Sequence, residues 1–357
     1  MIGTIILWLV AIVAIAMMAL YVAGRLLFRK QPLADQILFA LTDDDRMVAI
    51  WRFLPKGDTP KKIPVILQHG LGANHLNFDM HEEVSLCRYL AARGYDVFAP
   101  DLRSGGLSLP RKWGAIDRWN IRFEHFVEQD LPAVFAEIQR ATGRKKVHYV
   151  GHSMGGLIGY ALAEGEYGKR MQSLTAVAGP AIFGHMQQFR SLLPLRPLMR
   201  PFKVIHQRLW TTIIALPAYL WPRFAGTNLV NPENVTGKTV AIAAVNALEN
   251  MPRDLLLQFA QWVEHRQWGS EREEPYEELL DRITCPIYCL GGPVDHFCPP
   301  GANESIVDRV SSRKKQYRMF SRANGDLADY GHGDLIIGIT APREIFTSIL
   351  AWLQDNE

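Results

Sequence analysis

The sequence predicts an α/β fold: a mostly parallel sheet with helices on both faces, a helical insertion, and a transmembrane helix in front. Three observations carry this reading. Short apolar runs alternate with helical segments over residues 35–178 and again over 286–353. The stretch between, residues 182–281, is rich in proline, and its helical segments at 204–220, 240–248 and 253–266 do not alternate with strands. Residues 2–24 carry no charged side chain.

The elements follow in order. Residues 2–24 would span roughly 35 Å as a helix, enough for a hydrocarbon core of about 30 Å. Arg25, Arg29 and Lys30 follow at once. The positive-inside rule then puts the N-terminus outside and the remainder in the cytoplasm. The run lacks the basic leader and the short apolar core of a secretory signal, so it is read as a retained single-pass anchor, residues 1–27. Residues 47–54 (MVAIWRFL) read as an antiparallel strand, followed by a turn-rich tip at 55–60 with Gly57 and Asp58. Residues 63–68 (IPVILQ) read as a strand buried on both faces. A helix at 84–93 ends at Gly94, and a strand follows at 95–99. Helix 123–141 has Phe126, Leu131, Val134, Phe135 and Ile138 at helical spacing and is closed by Gly143. Strand 146–150, helix 154–164 and strand 173–178 complete the first half of the core, residues 28–181. Strands at 286–290 and 316–320 and a helix at 343–353 form the second half, residues 282–357.

Composition narrows the function. Charged residues are 21% and the apolar set 48%, which excludes a disordered chain. A net charge of +3 gives no footprint for nucleic acid. Cys87, Cys285, Cys289 and Cys298 form no C-x-x-C pair, so neither a disulfide scaffold nor a zinc ribbon is expected.

Strand 146–150 runs into Gly151-His152-Ser153-Met154-Gly155-Gly156, and a helix follows. A G-x-S-x-G run between strand and helix makes a tight turn that lifts the serine hydroxyl above the sheet. Such a serine needs a base and an orienting acid, each on a loop after a later strand, acid first. Asp295 and His332 stand at those places. His296 and His152 are rivals for the base. Asp326, Asp329 and Asp334 are rivals for the acid but lie close in sequence to His332. An oxyanion needs backbone N–H donors, and Met154 and Leu71 are the candidates, the latter in His69-Gly70-Leu71-Gly72. His69 is expected to brace that loop. His69, His75, Asp79 and His81 have no helix-face spacing and are not read as a metal site.

With these residues in place, the chain resembles the α/β-hydrolase superfamily. The HGLG loop, the PDLRSGG segment, the GHSMGG elbow and the late Asp and His carry the resemblance. The C-terminal run from YGHGD through APREIF is similar to the acid-lipase branch, and HGLGANHLNFD resembles both that branch and polyester-synthase-like bacterial hydrolases. The resemblance implies a serine esterase or lipase with no metal and no cofactor. Polyester synthases carry cysteine at the elbow and dehalogenases aspartate, so Ser153 implies ester hydrolysis. Alternatives on this scaffold are an acyltransferase, in which an alcohol replaces water, and a non-catalytic membrane-bound binding module.

The insertion, residues 182–281, reads as a helical cap. Between Glu166 and Glu233 the chain has no acid but eight bases, interleaved with Phe183, Phe189, Phe202, Trp210, Tyr219, Trp221 and Phe224. Such a surface suits anionic lipid, as a second membrane contact beside the anchor. The plainer reading is a cap whose arginines are merely solvated. Either way the expected substrate is a lipid-like acyl ester.

Overall fold

An antiparallel strand pair opens onto a parallel sheet in the computed structural model, which describes residues 2–57, 62–103, 105–110, 119–225 and 229–357. Part of the turn tip at 55–60, from Asp58 on, and Ser104 of the PDLRSGG run lie outside the described residues. The strands are β1 (Gln36–Leu41), β2 (Arg46–Phe53), β3 (Val65–Gln68), β4 (Val97–Pro100), β5 (Val147–His152), β6 (Met171–Val177), β7 (Ile287–Gly291) and β8 (Lys315–Met319). Their order across the sheet is β1-β2-β4-β3-β5-β6-β7-β8. The pairs β1–β2 and β2–β4 are antiparallel; every later pair on this path is parallel. Val65, Ile66 and Leu67 of β3 are fully buried, as an apolar run between two parallel neighbours requires. β1 has no counterpart in the sequence reading. It is an edge strand whose Ile37, Phe39 and Leu41 are exposed, so the buried alternation that signals a strand is weak.

Helix α1 (Ile2–Phe28) leads the chain. Helix α2 (Leu86–Ala91) starts two residues later than the pattern suggested. Val84–Ser85 pairs instead with Asp79–His81, and Ser85 Oγ accepts from the Arg88 N–H at the helix start. The helix expected at 123–141 is broken by a π turn at Phe126–Asp130 before α3 (Leu131–Thr142), which ends at Gly143 in the left-handed conformation. Helix α4 (Met154–Glu164) follows the serine.

The insertion contains α5 (Gln207–Leu220), α6 (Gly237–Ile242) and α7 (Arg253–His265). It is not wholly helical: Val204–Ile205 pairs with Met251–Pro252, so α5 begins at Gln207 rather than at 204. It closes on the carboxyl ends of the core strands. The Asn74 N–H donates to Ala247 and the Glu249 N–H to Gly72, on the loop after β3. The Gly333 N–H donates to Leu229, on the loop that carries His332. The joint is packed by aromatic edges. The Phe123 ring centroid lies 5.3 Å from Trp262, 5.9 Å from Trp268 and 5.5 Å from Tyr276. Helices α8 (Asp334–Ile337) and α9 (Ile345–Gln354) end the chain.

α1 does not stand clear of the rest. Gly24 is buried against Thr212 of α5, and the Phe28 ring lies 5.3 Å from that of Tyr219. Phe28 also packs on the small buried cluster Ala215, Ala241, Ala244 and Val245. Asn246 ties the end of the helix, accepting from the Lys30 N–H at 2.9 Å and donating to the Phe28 carbonyl at 2.8 Å.

Trp262 is fully buried in the joint between insertion and core. Trp262→Ala is expected to cost about 3–5 kcal/mol of stability through the cavity it leaves. Equilibrium urea unfolding measures this. A loss under 1 kcal/mol would mean that the joint collapses freely.

Candidate active site

Ser153 ends β5 and begins α4 with φ 57° and ψ −123°, a strained conformation for a residue with a side chain. The turn is tight because α4 sits close on β3. A Cβ on Gly155 would fall 2.1 Å from the Gln68 carbonyl oxygen, so no larger residue fits there. The hydroxyl is thereby turned toward the loop after β8. His332 Nε2 lies 2.8 Å from Ser153 Oγ. On the other side of the ring, His332 Nδ1 lies 2.9 Å and 3.1 Å from the two oxygens of Asp295. Asp295 follows β7, and its Oδ1 also accepts from the N–H groups of Phe297 and Cys298 at 2.8 Å and 2.7 Å. Those bonds hold the carboxylate in place, so the His332 Nδ1 proton has a fixed acceptor and Nε2 is left to face the hydroxyl.

The rival acids have other partners. Asp326 pairs with Arg318, and Asp329 accepts from the Arg322 N–H. Asp334 is buried beneath the histidine loop, where it accepts from the N–H groups of Gly331 and Asn231 and from the Asn234 amide. Burial pushes its carboxyl up, and these donors pull against that shift. His152 is buried beside His332, with ring centroids 4.9 Å apart. Burial, then the neighbouring His332, lower its pKa to about 3, so the ring is neutral. Its Nε2 lies 3.0 Å from the His332 carbonyl oxygen and its Nδ1 lies 2.9 Å from Asn77 Oδ1, and the single proton of the neutral ring serves one of these two acceptors.

The loop after β3 abuts the serine. A Cβ on Gly70 would fall 2.8 Å from Ser153 Cβ. Leu71 follows Gly70 in the chain, and Met154 stands at the N-terminus of α4 directly after Ser153. His69 braces this loop: Nδ1–H donates to the Gly70 carbonyl at 2.9 Å, and Nε2 accepts from the Leu102 N–H at 3.1 Å. Burial lowers its pKa to about 4. His75 Nδ1 bonds Asp101 at 2.9 Å, Asp79 takes Arg88, and His81 meets Thr239.

Asp101 is a second buried centre. Oδ1 accepts from the backbone N–H and Nδ1 of His75; Oδ2 accepts from Trp51 Nε1 and the Leu107 N–H. Burial opposes its charge, but His75 and its other donors outweigh that and hold the pKa at about 2.

Sequence reasoning missed Asn77, which meets His152 of the serine turn, and Asn231 and Asn234, which bond the His332 loop; all three act from a distance in sequence and leave no local pattern. It also missed Phe297, whose ring lies 5.3 Å from His332 and 5.4 Å from Phe189 of the insertion.

A hydroxyl, an imidazole and a carboxylate in line above a parallel sheet define a hydrolase class, and a model of the alpha/beta hydrolase fold matches residues 63–320. The chain belongs to the α/β-hydrolase fold family. Within it the chain is a carboxylic ester hydrolase of the lipase and esterase branch. The gastric triacylglycerol lipase of Bos taurus is 38% identical over 332 residues, 82% of this chain and 80% of that one. Triacylglycerol lipase 2 of Arabidopsis thaliana is 33% identical over 344 residues, 84% of this chain and 78% of that one. The solved monoacylglycerol lipase of Paleococcus ferrophilus shares the fold at a TM-score of 0.56 and 16% identity, covering 87% of this chain and 99% of that chain.

Acid should unfold the protein early. His69 and His152 have folded pKa values of about 4 and about 3, below the ordinary 6.5. Their contribution is full above pH 6.5 and is lost as pH falls toward those values. Asp101, at about 2 against 3.8, adds a loss only below pH 4. Urea midpoints measured from pH 8 to pH 4 should fall, most of the drop lying below pH 6.5. A flat profile down to pH 4 would contradict neutral burial of both histidines.

Proposed function

We propose that the protein hydrolyses lipid-like acyl esters at a membrane, with Ser153, His332 and Asp295 as a catalytic triad. The observation that carries this is the 2.8 Å contact between Ser153 Oγ and His332 Nε2, backed by Asp295 at 2.9 Å. Ser153 Oγ attacks the acyl carbonyl while His332 Nε2 takes its proton. Asp295 steadies the imidazolium. The tetrahedral oxyanion receives the N–H groups of Met154, next to Ser153 in the chain, and of Leu71, next to Gly70, which abuts Ser153. The C–O bond to the alcohol breaks, and Nε2–H protonates the departing oxygen. Water, deprotonated by Nε2, then attacks the acyl-enzyme. Its collapse releases the carboxylic acid and returns the proton to Ser153. No step needs a metal or cofactor.

The lipid-like substrate rests on the named triacylglycerol lipases. Insertion residues 182–281 act as the cap. Their basic residues are less available than the sequence suggested: Arg196 pairs with Glu264 and Arg208 with Glu249. The exposed aromatics Phe202, Trp210 and Trp221 are the better lipid contacts.

α1 is 27 residues long and apolar enough to cross a bilayer. We read it as a retained anchor rather than a cleaved signal, because its last turns fill the groove over Thr212 and Ala215 and are bonded to Asn246. The cytoplasmic orientation follows from Arg25, Arg29 and Lys30.

Ser153→Ala should lower kcat on a short-chain ester by about a millionfold with the fold unchanged. His332→Ala should be about as severe, and Asp295→Asn should cost about 10⁴-fold. Near wild-type turnover in Ser153→Ala would refute the nucleophile; a silent Asp295 with a crippling defect at Asp334 would move the acid.

Deleting residues 1–30 should free an active protein from membranes but lower its melting temperature, since Asn246 and the Ala215 cluster lose their partners. Fractionation and thermal unfolding of the truncated protein test both. An unchanged melting temperature would show that the contact carries no stability.

A further inference from the structure

Where α1 meets the insertion there is a cavity of about 410 Å³ whose lining mixes two chemistries. Leu27, Leu216, Tyr219 and Ile242 make it apolar on one side. Arg29 and Lys238 make it cationic on the other; both are exposed, and neither has a carboxylate partner among the described residues. Lys30 also lines it, but its Nζ donates to the carbonyls of Asp79 and Met80. The Asp79 carboxylate is itself taken by Arg88. Glu82 acts on Lys30 and Glu83 acts with Lys238 on His81, but neither glutamate forms an ion pair with Arg29 or Lys238 among the described residues.

The cavity is preformed and sits at a telling depth. Asn246 and the Phe28–Tyr219 contact fix the last turn of α1 against α5. At 1.5 Å per residue, 27 residues span about 40 Å, longer than the roughly 30 Å hydrocarbon core. With the uncharged residues 2–24 across the core, the last turn of α1, which carries Arg25, stands at headgroup level. Leu26, Leu220 and Trp221 are exposed beside it, where acyl chains and an interfacial aromatic belong.

We propose that this cavity binds the phosphate headgroup of an anionic phospholipid between Arg29 and Lys238, with the acyl chains lying against the exposed apolar side of α1 and α5. A volume of about 410 Å³ suits a headgroup and its glycerol, not a whole lipid. The ligand is a structural lipid, held apart from Ser153, and basic cavities beside membrane helices recognise anionic headgroups in this way. The inference rests on the anchored reading of α1.

The test uses the full-length protein in neutral detergent, with ether-linked phosphatidylglycerol or phosphatidylcholine, which the enzyme's own chemistry cannot cleave. Native mass spectrometry counts retained lipid. Phosphatidylglycerol should be retained in preference to phosphatidylcholine. Arg29→Gln with Lys238→Gln should weaken its binding by about 30-fold, and Arg29→Lys with Lys238→Arg should retain it. Should the double variant melt early in lipid-free detergent, Lys238→Gln alone should show about a fivefold loss. Equal retention of the two lipids, or indifference to both glutamine variants, would overturn the site. Displacement by millimolar inorganic phosphate would assign it to a free anion instead and overturn the lipid. Carbonate extraction of membranes reads the anchor separately. Release of the intact chain would refute anchoring; lost selectivity with the chain still embedded would refute the cavity alone.

Discussion

The contact between α4 and the end of β3 sets the terms for everything above the sheet. Gly155 can lie over the Gln68 carbonyl only because it has no side chain, and this closeness forces the turn at Ser153 into φ 57°. Strain at one residue costs on the order of 1–3 kcal/mol and survives only when the surroundings fix it from all sides. Here the buried β5, β3 and α4 do so. The loops after β3, β7 and β8 then need only reach a point whose position is already settled.

Those loops are held by buried polar groups as well as by apolar packing through Phe78, Cys298 and Tyr330. Asp101 gathers four donors behind the His69 loop, and Asp334 gathers three beneath the His332 loop. Each is a carboxylate taken from water and repaid in hydrogen bonds, an arrangement that tolerates little displacement. His152 lies between two such systems, within hydrogen-bond distance of Asn77 and of the His332 backbone. The imidazole that faces Ser153 is thus positioned through its main chain as well as through Asp295.

What was legible in the sequence followed from local chemistry. Buried parallel strands read as apolar runs, as in residues 63–68, and the elbow read as glycines around Ser153. The chain order of Ser153, Asp295 and His332 pointed to three loops that the structure brings together. β1 was not legible, because an edge strand with outward Ile37 and Phe39 lacks a buried alternation. Nor was the start of α2, where Val84 and Ser85 pair across a hairpin before the helix begins. The pairing of Arg196 with Glu264 and of Arg208 with Glu249 was hidden for another reason. Their partners lie dozens of residues away, so a stretch that looks purely basic in one dimension is partly neutral in three. The same holds for the seat of α1 on α5, made by residues nearly two hundred positions apart.

The bonds from Asn246 to the end of α1 leave almost no slack between the apolar helix and the enzyme body. A body joined by a slack tether samples the solution around it; one clamped at its root keeps a constant height and tilt above the lipid. In the anchored reading, Ser153 then patrols a plane. Its turnover would follow the mole fraction of ester in that plane, diluted by inert lipid, and not the amount of ester per volume of cell.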